Sequence, residues 1–369
     1  MSKARELAEL GAVYDSGALS NRNVIINGAM KVAQRGTSST GLGASDGYFT
    51  CDRWNMGLST SGRLTMTQES DGPDGFANSI KLACTTADTS IGSSELGILR
   101  QMFEGQDLQR FAKGTTGAKE FTVSFYVKGN AAATYTAELY DSDNTRQISK
   151  TFSVTTDWTR VVLTYPADTT GAFGDDANLS LYLQIWLHAG SDFTSGTLNS
   201  SSWASVTTAN RISSSGTSFF DSTSRTFFIT GVQLEAGSEA TPFEHRSFGQ
   251  ELQSCQRYFS KSYRYDKYAG DTSSLGWVQT EFHENNQGAG YREYYAFPFA
   301  VRMRATPTIT IYDTAGNAGK CNYYLSVGSG NTNKVLNVSS TNERTFGGYS
   351  DRATSIGGWA CHYTADAEL

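Results

Sequence analysis

Phe227-Phe228-Ile229-Thr230-Gly231-Val232-Gln233-Leu234-Glu235-Ala236-Gly237, followed by Ala240-Thr241-Pro242-Phe243-Glu244, reads as the closing strand of a β-sandwich. Strand alternation sends residues 227, 229 and 231 one way and 228, 230, 232 and 234 the other. Both rows are largely apolar, so both faces are expected to be covered. Gly237 breaks the strand and Pro242 leads the chain out of it.

Strand patterns recur on the N-terminal side of this stretch. Phe121 to Lys128 alternates with 121, 123, 125 and 127 facing a core. Residues 135–140 and 160–165 continue the pattern. Leu179 to His188 is the cleanest, with aliphatic residues at the five odd positions and Ser, Tyr, Gln, Trp and His at the even ones. On the C-terminal side Ser247 opens a short helix in which Phe248, Leu252, Cys255 and Phe259 fall at helical spacing. Strands resume after Tyr263, clearest at 291–299 and 308–312. At the start of the chain a helix is expected over 2–10, with Ala4, Leu7 and Leu10 on one face and Gly11 ending it. About three turns are marginal alone in water, so this helix frays or docks outside the fold.

The expected fold is therefore mainly β. It has an N-terminal docking helix and linker (1–20), an antiparallel β-sandwich of jelly-roll type (21–246), a connecting helix (247–260) and a smaller β-domain (261–369).

Composition agrees. The 369 residues include 20 Phe, 19 Tyr and 6 Trp but only 18% charged residues, too aromatic for a disordered chain. A net charge of −6 argues against sequence-independent nucleic-acid binding. No apolar run is long enough to insert into a membrane, and the N-terminus lacks a signal-peptide core. The five cysteines are scattered without a CxxC pair, so neither a disulfide framework nor a zinc site is expected, and they read as small buried hydrophobes.

Three segments resemble the tail-fibre and related virion proteins of tailed bacteriophages. Asn21-Arg22-Asn23-Val24-Ile25-Ile26-Asn27-Gly28-Ala29-Met30-Lys31-Val32-Ala33-Gln34-Arg35-Gly36 with Cys51-Asp52-Arg53-Trp54 is similar to the opening of a module common in such fibres. Residues 229–235, Thr241 to Arg246 and Cys255-Gln256-Arg257-Tyr258 look like its close. Arg304 to Thr308 and Tyr363 to Leu369 resemble the small β-domain that often follows, and Lys3 to Leu10 is similar to fibre N-termini. The resemblance implies a homotrimer displayed on the virion, anchored to the particle by its N-terminus and carrying a distal surface-recognition end. The expected partners are tail or capsid proteins through residues 1–20 and host surface polysaccharide, with a purely architectural role or a glycan-cleaving spike as the alternatives. It implies no active site.

The candidate binding face is the even row of the 182–188 strand: Tyr182, Gln184, Trp186 and His188. Flat rings suit the apolar faces of sugars, and amides and imidazoles bond hydroxyls. Tyr126, Lys128, Glu138 and Tyr140 could extend it. The same stripe could instead lie beneath a neighbouring protomer. Phe248, Leu252, Cys255 and Phe259 either set the register of a trimer around its axis or cover the sandwich within one subunit. Asp52-Arg53-Trp54 reads as structural. Tyr263, Tyr265, Tyr268, Trp277, Tyr291, Tyr294 and Tyr295 give the C-terminal domain a contact-surface character, with loop tips expected at 328–333 and 345–350.

No catalytic residue is assigned. Asp175 and Asp176 are adjacent and point apart, and the histidines at 188, 245, 283 and 362 form no metal motif. Asp71 to Gly75 reads as a turn, with calcium as the alternative. Neither cofactor nor metal is expected.

Overall fold

The computed structural model describes Lys3 and residues 21–282, 292–325, 330–335, 337–351 and 357–369. The 2–10 helix with Ala4, Leu7 and Leu10 lies outside the described residues, as does Tyr291. The chain divides into two compact units. One comprises Met1–Lys31, Thr37–Phe49 and Trp54–Ser247, the other Val32–Gly36, Thr50–Arg53 and Phe248–Leu369. Two short pieces that the sequence places with the sandwich thus belong to the second unit.

The first unit is an antiparallel β-sandwich of jelly-roll type. One sheet runs β1 (Ser38–Leu42), β4 (Arg63–Glu69), β5 (Ser79–Thr86), β13 (Thr226–Ala236), β7 (Phe121–Gly129) and β10 (Thr159–Tyr165). The other runs β12 (Ala204–Ser205), β9 (Arg146–Val154), β8 (Ala133–Asp141), β11 (Leu179–Ala189), β6 (Leu96–Glu104), β3 (Asn55–Ser59) and β2 (Gly47–Tyr48). The opening stretch, β13, is the last strand in sequence yet sits at the middle of its sheet, between β5 and β7.

Strand alternation builds the core. Phe121, Val123, Phe125 and Val127 of β7 are all fully buried, as are Leu181, Leu183 and Ile185 of β11. Rings cross between the sheets, with Phe125 edge-on to Phe152 at 5.1 Å and Tyr135 edge-on to Phe227 at 5.6 Å. Each such side chain contributes about 1.5–3 kcal/mol on burial.

β13 departs from simple alternation. Its register on β7 shifts between Thr230 and Gln233, and Gly231 between them has φ +61°. The extra residue is a β-bulge that a glycine in the left-handed region permits. It exchanges the faces, so Phe227 and Ile229 before the bulge share the core side with Val232 and Leu234 after it. Both faces are buried from Phe227 to Glu235.

The second unit centres on β22 (Gly357–Asp366), which pairs with β14 (Phe259–Lys261), β15 (Val278–Phe282), β17 (Thr308–Tyr312) and β18 (Cys321–Leu325); β19 (Gly330–Lys334) adds to β18. A separate sheet runs β16 (Arg292–Pro298), β21 (Thr345–Asp351) and β20 (Asn337–Thr341). Trp359, Cys361, Tyr363 and Ala365, alternate residues of β22, form its core with Met303, Ile311 and Phe346.

The Asp52-Arg53-Trp54 motif is structural, as read, but its residues divide between units. Asp52 accepts from the Gln34 backbone and side chain at 2.8 and 2.5 Å, and the Arg53 guanidinium lies 3.4 Å over Tyr258 and pairs with Glu368. Trp54 Nε1 instead donates to the Asn27 carbonyl at 3.1 Å in the first unit.

Three expectations are corrected. The connecting helix, α2 (Phe248–Gln256; α1 is the single turn Ser191–Thr194), stops before Phe259, which lies on β14. Cys255 and Phe259 are buried in their own unit, so of the four residues weighed as a trimer seam only Phe248, 45% exposed, and Leu252 keep exposed surface. Residues 345–350 form β21 and 330–333 lie in β19 rather than at loop tips, while 328–329 lie outside the described residues. Pairing of β21 with β16 and β20, and of β19 with β18, satisfies backbone groups that a tip would leave to water.

Candidate functional site on the outer face of the β11 sheet

Register places residues from five strands in two rows on the outer face. One row reads Asn55, Arg100, Gln184, Glu138 and Ser149 from β3 to β9; the next reads Met102, Tyr182, Tyr140 and Gln147. Trp186 lies opposite Ile98 and Thr136 in a third row. Side chains at directly opposed positions touch, so a ladder like this is a contiguous surface.

Part of that surface is covered from within the chain. After β11 the segment through α1 and β12 returns over the sheet, with β12 pairing to β9. Phe193 packs its ring 5.1 Å from Trp186, and Ile212 joins the same cluster. Arg211 reaches Glu138 with two hydrogen bonds, Nε to Oε1 at 2.8 Å and Nη2 to Oε2 at 2.7 Å, and Trp186 Nε1 donates to Oε2 at 2.8 Å. Burial works against the Arg211 charge, but Glu138 outweighs it and holds the guanidinium above its ordinary pKa.

The four residues expected to form the sugar face therefore separate. Trp186 and His188 are each 2% exposed and Gln184 is 4%. Tyr182 alone is half-buried. The open aromatic stripe is corrected to a smaller patch, because the 190–212 segment covers its far end.

His188 leaves the row altogether. The β11–β6 register shifts between Trp186 and His188, placing His188 opposite Gly97 where regular alternation would put Leu187. Its ring meets Phe220 edge-on at 5.2 Å, and Nδ1 bonds Ser218 Oγ at 2.9 Å. Burial pushes the imidazole below its ordinary pKa, against the pull of Glu95 and Asp88.

What remains open is a tyrosine pair between two guanidinium groups. Tyr140 and Tyr182 meet edge-to-face at 5.6 Å. Arg100 lies 5.8 Å from the Tyr182 ring centroid and Arg211 5.2 Å from that of Tyr140. Arg100 is itself oriented, with Nε donating to Asn55 Oδ1 at 2.9 Å and Nη2 pairing with Asp46 at 2.8 Å. Partial burial pushes the Tyr182 hydroxyl above its ordinary pKa, offset in part by Arg100. In the adjoining row, the buried Gln184 Oε1 accepts no hydrogen bond among the described residues. A buried amide acceptor without a partner costs about 1–3 kcal/mol.

Glu138 and Tyr140 join this face as expected, whereas Tyr126 and Lys128 lie on β7 in the other sheet. There Lys128 pairs with Asp71 at 2.6 Å and sits 4.9 Å over Phe228, so the Asp71 turn is tied to a cation. Arg100, Asn55 and Arg211 were missed. Arg100, with Gln101, interrupts the otherwise apolar run from Leu96 to Phe103, and that interruption was the available signal.

No family model and no curated protein matches the chain. Solved structures similar to it include the enzymatically active domain of bacteriophage CBA120 tailspike protein 4, at 13% identity over 58% of this chain, with a TM-score of 0.31. The match spans only 21% of that tailspike chain. A family 30 carbohydrate-binding module is similar at 11% identity over 62% of this chain and 96% of its own, TM-score 0.30. A family 11 carbohydrate-binding module from Clostridium thermocellum, in complex with a mixed-linked tetrasaccharide, is similar at 11% identity over 55% and 98%, TM-score 0.27.

Proposed function

We propose that the chain is a structural component of a tailed-phage virion, a trimeric fibre or spike joined to the particle through residues 1–20, that contacts host surface polysaccharide through its β-sandwich. The phage assignment is supported by the sequence resemblance at both ends of the sandwich and at the C-terminus. The glycan assignment is supported by one arrangement: a half-buried Tyr140–Tyr182 pair between two oriented guanidinium groups. Rings of this kind offer sugars an apolar platform, and the guanidinium forks offer donors to hydroxyls. Three such patches on one trimer would combine weak contacts through effective concentration.

Binding without cleavage is the proposed chemistry. Glu138, on the same face as the tyrosines, is held on both oxygens by Arg211 and on one by Trp186, which suits orientation rather than proton transfer. Retention of the full chain on immobilised host polysaccharide, reversed by the soluble polymer, is expected. No retention would leave a purely architectural role, and shortening of the polymer would replace binding with hydrolysis. Sedimentation at three times the chain mass tests the trimer, and a monomer would remove it.

A further inference from the structure

At one end of the sandwich, away from the tyrosine pair, Asp88, Glu95 and His188 each direct one ligand atom into a common space, all within 4.8 Å of one another. Asp88 and Glu95 both lie on the connection between β5 and β6, and His188 lies at the end of β11, so two separate parts of the first unit meet here. The His188 side chain is fully buried, and its Nε2 makes no hydrogen bond of good geometry among the described residues. Glu95 Oε2 is 3.5 Å from it, and the other ring nitrogen bonds Ser218 Oγ. Ser218 Oγ also accepts from the Phe220 backbone N–H at 3.1 Å, which fixes its position. Asp88 is oriented in the same way, with Oδ2 accepting from Thr60 Oγ1 at 2.9 Å.

We propose that this cluster binds a divalent transition ion of the Zn²⁺ class, held by His188 Nε2 and one oxygen each of Asp88 and Glu95. A buried imidazole nitrogen aimed between two carboxylates and given no proton acceptor of good geometry is the donor set of such an ion. One imidazole and two carboxylates suit Zn²⁺ far better than Ca²⁺, which takes six to eight oxygens. Two carboxylates and a neutral imidazole also balance the charge of the ion, as a buried site must. Donors sharing one ion at about 2.1 Å lie about 3.4 Å apart in a tetrahedron, so roughly an ångström of closure is needed. Glu95, the half-buried member, can supply it. Ser218 acts as the positioning residue, fixing the ring through Nδ1. The bound ion would fasten the connection between β5 and β6 to the end of β11.

The test is titration of the full chain, stripped with chelator, with Zn²⁺ alone by calorimetry, alongside heat unfolding with and without Zn²⁺. One ion per chain and a raised unfolding midpoint are expected. Glu95→Gln should weaken uptake at least tenfold, Ser218→Ala by about 10- to 100-fold, and neither should keep the Zn²⁺-dependent rise in midpoint. Circular dichroism establishes that both variants are folded. Absence of uptake, or uptake unchanged in both folded variants, overturns the site. Equal stabilisation by Ca²⁺ overturns the transition-ion assignment.

Discussion

Arg211 grips both oxygens of Glu138, at 2.8 and 2.7 Å, across the outer face of the β11 sheet. Glu138 is fully buried, so the pair both anchors the covering segment and keeps a charge paired where water does not reach. Removing one partner of a buried pair leaves an uncompensated charge.

Arg211→Ala should therefore destabilise the sandwich by about 3–5 kcal/mol. Urea unfolding measures it. The double variant Arg211→Met with Glu138→Gln should lose less than Arg211→Ala alone, because no charge is stranded. Equal losses would mean that the pair is not energetically coupled.

Gly231 tests the bulge in β13. A Cβ there would meet Phe76 Cζ at 2.8 Å and Tyr126 Cδ2 at 2.9 Å, on a backbone with φ +61°. Gly231→Ala should cost about 2 kcal/mol or more, from left-handed strain and overpacking together. Gly249→Ala, in α2 with nothing within 4 Å of the added methyl, should be neutral or stabilising by urea unfolding.

The bulges also mark where the sequence stopped being legible. Alternation in 121–127 and 179–185 was enough to find the core because the aliphatic and aromatic rows mark the side facing the opposite sheet, although most of the other row, Thr122, Ser124, Ser180 and Gln184, is buried too. Alternation cannot reveal an inserted residue. Gly231 in β13 and the shift before His188 in β11 each exchange faces partway along a strand, and His188 was assigned to the wrong side for that reason. Trp186 was given its correct face, but its cover comes from residues 193–212, more distant in the chain than a local pattern reaches. The Asp52-Arg53-Trp54 motif was legible as packing, but not as serving two units, since nothing in its composition distinguishes the partners Tyr258 and Asn27.

Lys261 gives a pH signature. Its Nζ donates to the carbonyls of Tyr265, at 3.0 Å, and Lys267. Burial brings its pKa down to about 8 from an ordinary 10.5, against the pull of Asp52, Asp271 and Asp266. Between these values the unfolded chain holds the proton more tightly, so this group adds stability as pH rises from about 8 toward 10.5. Below pH 8 both states are protonated and the gain is absent. Tyr263 and Tyr265, each pushed up to about 12, oppose it only above the ordinary tyrosine value of 10.0. Urea midpoints measured from about pH 7 to 9.5 should rise relative to those of Lys261→Met. Parallel profiles would show that Lys261 keeps its ordinary pKa.

The glycan face is tested most directly by comparing polysaccharide binding isotherms of the wild-type chain and Tyr182→Ala. Tyr182 is half-buried on the open part of the sheet, so its removal should leave the fold intact, as far-ultraviolet circular dichroism will check. Loss of one stacking ring and the hydroxyl contacts it orders should weaken binding about tenfold or more. Lys81→Ala, on β5 in the other sheet, should leave it unchanged. Wild-type affinity in a folded Tyr182→Ala chain would contradict the assignment of this face to host polysaccharide.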